Sequence, residues 1–259
     1  MLYELYQHLT TPCPRPIKEM GYLKELIGMM ARHQRCRTAW RPHLDNCRDW
    51  IVQAMEACDK RDRVVVLGSG LLNDVPLDEL SQGFNQVILV DILHLPVVRK
   101  AVKGYGNVEL VERDISGFVG SVFRHLTEDI PLTFPDTPDI PSDGADLVIS
   151  LNVLSQLPIL PMEFAAQKNN LLGDTIPARL IAAHLEALAE LPCRVCLITE
   201  IEQRLCLNGE AREKTDPLAG NEIPQTLKTQ STSWDWQYAP HPERHPRYDL
   251  VYNVEGFAK

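Results

Sequence analysis

Short apolar runs alternate with amphipathic stretches along most of the chain. The runs are rich in Val, Ile and Leu and end at polar or glycine residues, which is typical of buried parallel strands. Between them, apolar residues recur three and four positions apart, most clearly over residues 176–191, as in helices that bury one face. This alternation predicts a doubly wound α/β fold. The predicted strands cover residues 63–67, 86–90, 108–112, 145–151 and 194–199.

The two ends of the chain have different patterns. The first 60 residues have helical periodicity at 17–35 and 42–58 and no strand signal, so we predict a helical N-terminal extension over residues 1–60. A Rossmann-like domain would then occupy residues 61–259. Near the other end, two strand-like segments at 234–238 and 248–257 are separated by nine residues, too few for a helical crossover. We therefore expect a mostly parallel sheet that ends in a C-terminal antiparallel hairpin.

The candidate chemistry lies where predicted strands end. The first strand leads into Gly68-Ser69-Gly70, where a side chain would keep the backbone away from a ligand. The second strand ends at Asp91, 23 residues after Gly68. That is close to the spacing of roughly 20 residues between a glycine-rich turn and a ribose-binding carboxylate. After the third strand, Asp114 would bring a second carboxylate to the same edge, so the set suits an adenosine.

These segments, followed by DLVISLNVLSQLP from Asp146, resemble the ordered motifs of class I S-adenosylmethionine-dependent methyltransferases over residues 60–200. The resemblance implies that S-adenosylmethionine is the cofactor. It also implies that the glycine loop faces the methionine part, Asp91 binds the ribose, and Asp114 with Ile115 lies near the adenine. Asn152, which opens the loop after the fourth strand, would line the methyl-transfer site. The predicted cofactor-binding residues are Gly68, Ser69, Gly70, Asp91, Ile92, Asp114, Ile115 and Asn152.

Two positions depart from the family pattern. Leu72 stands where the family usually has a third glycine, and Leu67 where an acid often precedes the first one. We expect methyl transfer to a small-molecule acceptor. A methyltransferase-like scaffold without catalysis, or an enzyme that uses the cofactor for another reaction, remains an alternative. An NAD enzyme is disfavoured because Asn73 occupies the third position of the G-x-G-x-x-G/A motif.

Composition and charge indicate which kinds of partner to expect. The formal net charge of −9 disfavours nucleic acid. The loop after the fourth strand also lacks the Asp/Asn-Pro-Pro-aromatic run typical of enzymes that methylate amino groups on bases. No run of 18 apolar residues and no signal-peptide pattern occurs, and the seven cysteines are interpreted as reduced thiols, so we expect a cytoplasmic protein without a membrane span. A homodimer remains an open expectation.

The catalytic residue is not assigned by the sequence. If the acceptor is a hydroxyl, the residues considered as a base are His94, His184, Glu200 and Glu202. No metal site is predicted, because the cysteine pair at 193 and 196 approaches a buried strand and the histidines at 241 and 245 occupy a proline-rich turn. Arg35 and Arg37 could bind the methionine carboxylate or form a plain basic helix end, and the tryptophans at 234 and 236 are expected in the core.

Overall fold

A computed structural model describes residues 7–135 and 137–259. Residues 1–6 of the predicted N-terminal extension and residue 136 of the proline-rich loop therefore lie outside the described part. The chain folds around an eight-stranded sheet. Its strands are β1 (Arg63–Leu67), β2 (Gln86–Asp91), β3 (Val108–Glu112), β4 (Leu147–Leu151), β5 (Arg194–Leu207), β6 (Glu210–Thr215), β7 (Gln230–Ala239) and β8 (Asp249–Ala258).

The order of the strands across the sheet is β3-β2-β1-β4-β5-β8-β7, and β6 pairs with β5 off this path. The pairs among β1 to β5 are parallel, whereas β8 runs antiparallel to both β5 and β7. This confirms the doubly wound, Rossmann-like sheet with its C-terminal antiparallel hairpin. The chain winds outward in one direction from β1 and in the other from β4. The carboxyl edge between β1 and β4 is therefore the topological switch point, where such sheets bind ligands.

Eight α-helices have both ends within the described residues, and residues 7–10 are also helical. Pro96 lies in the first turn of its helix, where its missing N–H costs no intrahelical bond. In the described region, no helix combines the length and apolarity needed to cross a bilayer. The helices are α1 (Arg15–Glu19), α2 (Tyr22–Arg35), α3 (Arg37–Glu56), α4 (Leu77–Gly83), α5 (Pro96–Ala101), α6 (Val119–Glu128), α7 (Ile159–Gln167) and α8 (Ile176–Glu190).

Helix α3 packs its apolar face onto the sheet. Trp40, Leu44, Cys47 and Ile51 recur three and four residues apart and are all buried in the cluster that covers β1, β4 and the C-terminal strands. On the opposite face, α8 buries Ile181, Leu185 and Leu188 against β1, β4 and β5. The N-terminal helices thus share one core with the sheet. The domain boundary at residue 60 stays a prediction.

The contact between Gly256 and α3 leads to a stability prediction. A Cβ at Gly256 would lie 2.7 Å from Trp50 Cδ1 and Nε1, too close for a rigid indole to accommodate without moving. Gly256→Ala should therefore lower the free energy of unfolding by about 1–3 kcal/mol, as overpacking does. Gly120, in α6, has nothing within 4 Å of its ideal Cβ, so Gly120→Ala should raise stability by about 0.5–1 kcal/mol. Urea unfolding of both variants measures this, and equal midpoints would contradict it.

One predicted strand is longer than its pattern indicated. The sequence predicted a strand over residues 194–199, whereas β5 continues to Leu207 and turns back into β6. The extension is half exposed and β6 is exposed throughout, so neither carries the apolar signal on which the prediction depended. A β-bulge between Glu200 and Glu202 interrupts the pairing of β5 with β8. Bulges of this kind re-aim the side chains beside them.

Candidate functional site

A cleft of about 730 Å³ opens at the carboxyl edge of the sheet, at the switch point between β1 and β4. One end is lined by Asp91, Asp114 and Ile115, and the other end reaches Trp236 and Tyr252 on the C-terminal strands. A cleft at this edge and of this size is the usual place for a small-molecule site.

The glycine loop forms one wall of the cleft. Gly68 has φ +77°, and a Cβ there would lie 2.7 Å from Val153 Cβ and 2.8 Å from the Leu151 carbonyl oxygen. The Gly68 and Ser69 amides both donate to the Val90 carbonyl, which ties the loop to the end of β2. Glycine at position 68 is therefore required by close packing against the chain that follows β4.

The other two loop positions behave differently. Gly70 has φ +50°, and the nearest atom to its ideal Cβ is the Gly68 carbonyl oxygen at 3.8 Å, so a side chain there would extend into open space. Leu72 adopts φ +62°, the left-handed conformation that glycine adopts readily. The leucine at the family's third glycine position thus leaves the backbone of this loop in a glycine-like conformation.

Asp91 is fixed by the backbone of the same loop. Its Oδ2 accepts the Gly70 amide at 2.7 Å and its Oδ1 accepts the Ile92 amide at 2.7 Å. Burial raises the pKa of this carboxyl to about 6, and these amide donors oppose the rise. The Leu93 amide also opposes the rise in pKa, and Asp91 lines the cleft, where its carboxylate can accept from a further donor.

The Asp114 carboxylate already accepts three hydrogen bonds from its own turn. Oδ1 accepts the amide and hydroxyl of Ser116 at 3.0 and 2.6 Å, and Oδ2 accepts the Val119 amide at 2.8 Å, at the start of α6. Asp114 therefore holds the turn after β3 and still lines the cleft together with Ile115. Tyr22 of α2 lies close enough for both Asp91 and Asp114 to raise its hydroxyl pKa, although burial is the larger cause.

Asn152 also lines the cleft. It adopts φ +48°, and its Nδ2 donates to Asp74 Oδ2 at 2.9 Å. Its Oδ1 is buried and has no hydrogen-bond partner among the described residues, so this atom can accept a hydrogen bond from a ligand. Burial raises the pKa of Asp74, and hydrogen bonding from Asn152 opposes the rise. The sequence did not single out Asp74, although an acid four residues after Gly70 at a ligand-binding edge was a usable signal.

One cluster beside the cleft has the composition of a metal site. A nitrogen of His43, the sulfur of Cys47 and an oxygen of Asp74 lie within 4.8 Å of one another, and zinc binds such atoms. The hydrogen bonding of His43 opposes this assignment. The indole N–H of Trp234 donates to His43 Nδ1 at 3.0 Å, so that nitrogen is already engaged, and the Asn152 amide nitrogen lies 3.4 Å from Nε2. Burial lowers the pKa of His43 to about 3. The ring is thus a neutral packing and hydrogen-bonding group.

Of the four residues considered as a base, the structure places only Glu200 on the described lining of the cleft. His94 is buried against Ser69 Oγ at 3.2 Å, and His184 against Ser150 Oγ at 3.0 Å. Glu202 is paired with Lys214 at 2.8 Å. The Glu200 side chain is 4% exposed and accepts the Ser155 hydroxyl at 2.7 Å, and burial raises its pKa.

The far end of the cleft is aromatic. Tyr238 and Tyr252 stack with ring centroids 4.7 Å apart, and Trp236 meets both rings edge-on. Arg32 Nη1 donates to the Tyr238 hydroxyl at 2.5 Å. The tryptophan at 236 is a core residue, as predicted, since it is 4% exposed and stacks on His43 at 3.9 Å, and it also lines the cleft.

Helix α2 covers the cleft along one face. The residues that line the cleft are spaced three or four apart, which places them on one side of a helix. This geometry favours a cofactor lid over a dimer surface as the role of this helix. Residues within the segments 158–163 and 216–219 also line the cleft. The lining residues of α2 are Tyr22, Glu25, Leu26, Met29 and Arg32.

Several predicted positions lie outside the cleft. The Ser69 side chain is fully buried and faces His94, so only its backbone belongs to the glycine loop. Arg35 forms an ion pair with Glu243 at 2.6 Å, and neither it nor Arg37 is among the lining residues, whereas Arg32 is. The cysteines at 193 and 196 are free thiols.

No family model and no curated protein matches the chain. Among solved structures, a complex of DhpI with SAM and HEP matches at 13% identity and a TM-score of 0.43, covering 96% of this chain and 100% of that one. A putative RNA methyltransferase from Pyrococcus horikoshii matches at 14% identity and a TM-score of 0.43, covering 81% and 80%. The Burkholderia thailandensis 1,6-didemethyltoxoflavin-N1-methyltransferase matches at 15% and 0.39, covering 94% and 91%.

Proposed function

We propose that this protein binds S-adenosylmethionine in the cleft and transfers its methyl group to a small-molecule acceptor. One observation carries the proposal. At the switch point of a doubly wound sheet, an open glycine loop, a buried carboxylate and an unpartnered amide oxygen line the same cleft through Gly70, Asp91 and Asn152. These groups match the three polar regions of an adenosyl amino acid.

The residues fit the cofactor chemically. The Asp91 carboxylate can accept from the ribose hydroxyls, and donors there would offset the burial of its charge. Asn152 Oδ1 and the Asp74 carboxylate are acceptors suited to the ammonium of the methionine part. Ile92 and Ile115 supply apolar surface beside the expected adenine position, and the Asp114 carboxylate is the candidate acceptor for its amino group.

When bound, the cofactor supplies an electrophilic methyl group on a sulfonium, so the chain needs no elaborate acid-base set. Its residues have to hold an acceptor in line and exclude water. The α2 face covers the cleft, and the aromatic end supplies apolar surface on which an acceptor can lie. The net charge of −9 and the acidic lining favour a small molecule over a nucleic acid as the acceptor.

Calorimetric titration tests the proposal directly. We expect the purified protein to bind S-adenosylmethionine and S-adenosylhomocysteine with micromolar affinity, because the polar contacts are preorganised by backbone amides. NAD serves as the matched control and should not bind, since its pyrophosphate needs a close helix N-terminus that the loop before α4 does not provide. No heat with either adenosyl compound would contradict the proposal and favour the scaffold alternative.

A further inference from the structure

Glu200 is a buried carboxylate without a positive partner. Ser155 is the only described side chain that donates to it, and no nitrogen of a described Lys, Arg or His lies within 4.0 Å of its oxygens. Burial and the negative charge of Asp74 raise the pKa of Glu200, and no positive charge is among the causes that lower it. A buried carboxylate is costly unless it is paired, so a cation that entered the cleft would stabilise this position.

Aromatic rings stand beside this carboxylate. Tyr252 of β8 pairs with Gln203 of β5, three residues after Glu200, and its ring stacks on Tyr238 with centroids 4.7 Å apart. The two tyrosines and Trp236 line the same end of the cleft. Aromatic faces attract cations, and a carboxylate next to them is the usual composition of an ammonium-binding site.

The net charge of the residues that line the cleft also favours a cationic ligand. Seven carboxylates and three arginines line the described cleft. Arg113 is paired with Asp139 at 2.8 Å, whereas Arg32 donates to the neutral Tyr238 hydroxyl and lies 5.1 Å from the centroid of that ring. An anionic acceptor would meet an excess of negative charge, and a cationic one would be attracted to it.

We infer that the methyl acceptor is an amine, held as an ammonium by Glu200 beside the ring of Tyr252. The inference rests on the proposed function, since it names the acceptor of the same reaction. Glu200 lies on the β5 bulge at the aromatic end, whereas Asp74 lies beside the glycine loop. In this scheme Glu200 serves the acceptor and Asp74 serves the cofactor.

Glu200 also has a chemical task in this scheme. An ammonium has no lone pair, so it must first give a proton to the Glu200 carboxylate, and its raised pKa suits the carboxylate for this. The freed nitrogen lone pair forms the N–C bond to the methyl carbon as the C–S bond breaks, and that electron pair remains on sulfur. The products are a methylated ammonium and the thioether, and Glu200 later returns its proton to solvent.

Three small probes of similar shape test the inference on the full-length protein. They are 2-phenylethylamine, 2-phenylethanol and phenylacetate, each titrated by ligand-observed NMR with and without saturating S-adenosylhomocysteine. We expect the amine to bind about tenfold more tightly than the alcohol, and phenylacetate most weakly. Glu200→Gln should remove the preference for the amine. Glu202→Gln is the matched control, because it removes the same charge two residues away, outside the cleft, and should preserve the preference.

The outcomes separate the two proposals. Wild-type protein that binds S-adenosylhomocysteine but shows no preference for the amine, or does not bind it, overturns the inference and leaves the proposed function standing. Glu200→Gln protein that loses S-adenosylhomocysteine as well as the amine places Glu200 at the cofactor and also overturns it. Wild-type protein that fails to bind S-adenosylhomocysteine overturns both proposals, even if the amine binds.

Discussion

Replacing Gly68 by alanine should destabilise the protein by about 3 kcal/mol, which is among the largest effects expected of a single methyl group. Two costs add. The residue has φ +77°, where an L side chain costs roughly 1–2 kcal/mol. The new Cβ would also lie 2.8 Å from the Leu151 carbonyl oxygen, a backbone atom that cannot rotate away. Urea unfolding at neutral pH measures the loss as a lower midpoint.

Gly70→Ala is the matched control in the same loop. Its ideal Cβ has 3.8 Å to the nearest atom, so only the positive φ of +50° opposes the substitution, and the expected loss of stability is about 1 kcal/mol. Its methyl group would extend toward the cleft and should weaken S-adenosylhomocysteine binding in a protein that remains folded. Equal destabilisation by the two variants would contradict the assignment of Gly68 to packing and Gly70 to the ligand.

The fold could be predicted because its signals are local. Each parallel strand is a short apolar run that ends at a polar or glycine residue, and the carboxyl ends of such strands meet at one edge. That rule alone brings Gly70, Asp91 and Asp114 together, and the structure places all three on one cleft. The third glycine position was misleading as a motif, since Leu72 adopts the left-handed conformation that glycine usually provides there.

The acceptor end could not be predicted, because it depends on contacts between distant segments. Glu200 was one of four candidate bases, and only its position on β5, paired with β8, brings it to the cleft, while His94 and His184 are buried elsewhere. Asp74 gains its importance from Asn152, 78 residues away. The extension of β5 was also missed, because an exposed strand has no apolar pattern to reveal it.

The affinity of the protein for S-adenosylhomocysteine should rise with pH between about 5 and 7 and then level off. Burial raises the pKa of Asp91 to about 6, and only the carboxylate can accept two ribose hydroxyls at once. Below that pKa, the protonated carboxyl must lose its proton for full binding, so the affinity should fall by up to about tenfold per pH unit. Calorimetry at several pH values gives the profile.

Asp91→Asn should bind S-adenosylhomocysteine about 10- to 100-fold more weakly at neutral pH, because charge-assisted hydrogen bonds become neutral ones. It should also lose the rise in affinity through pH 6, since nothing titrates at that position. Asp78→Asn makes the same change on α4, where the carboxylate accepts the Tyr105 hydroxyl, and should keep the wild-type profile. A wild-type affinity independent of pH, or an unchanged slope in Asp91→Asn, would remove the ribose assignment.

The raised pKa of Asp91 also affects the stability of the ligand-free protein. The folded-state pKa of Asp91, about 6, lies above its ordinary value of 3.8, so folding favours the protonated form. Ionisation of this carboxyl therefore lowers the stability of the ligand-free protein as the pH rises from about 4 to 6, and the loss persists above 6. Ribose hydroxyls that donate to the carboxylate favour its charged form. Bound S-adenosylhomocysteine should therefore raise the unfolding midpoint more at pH 7 than at pH 5.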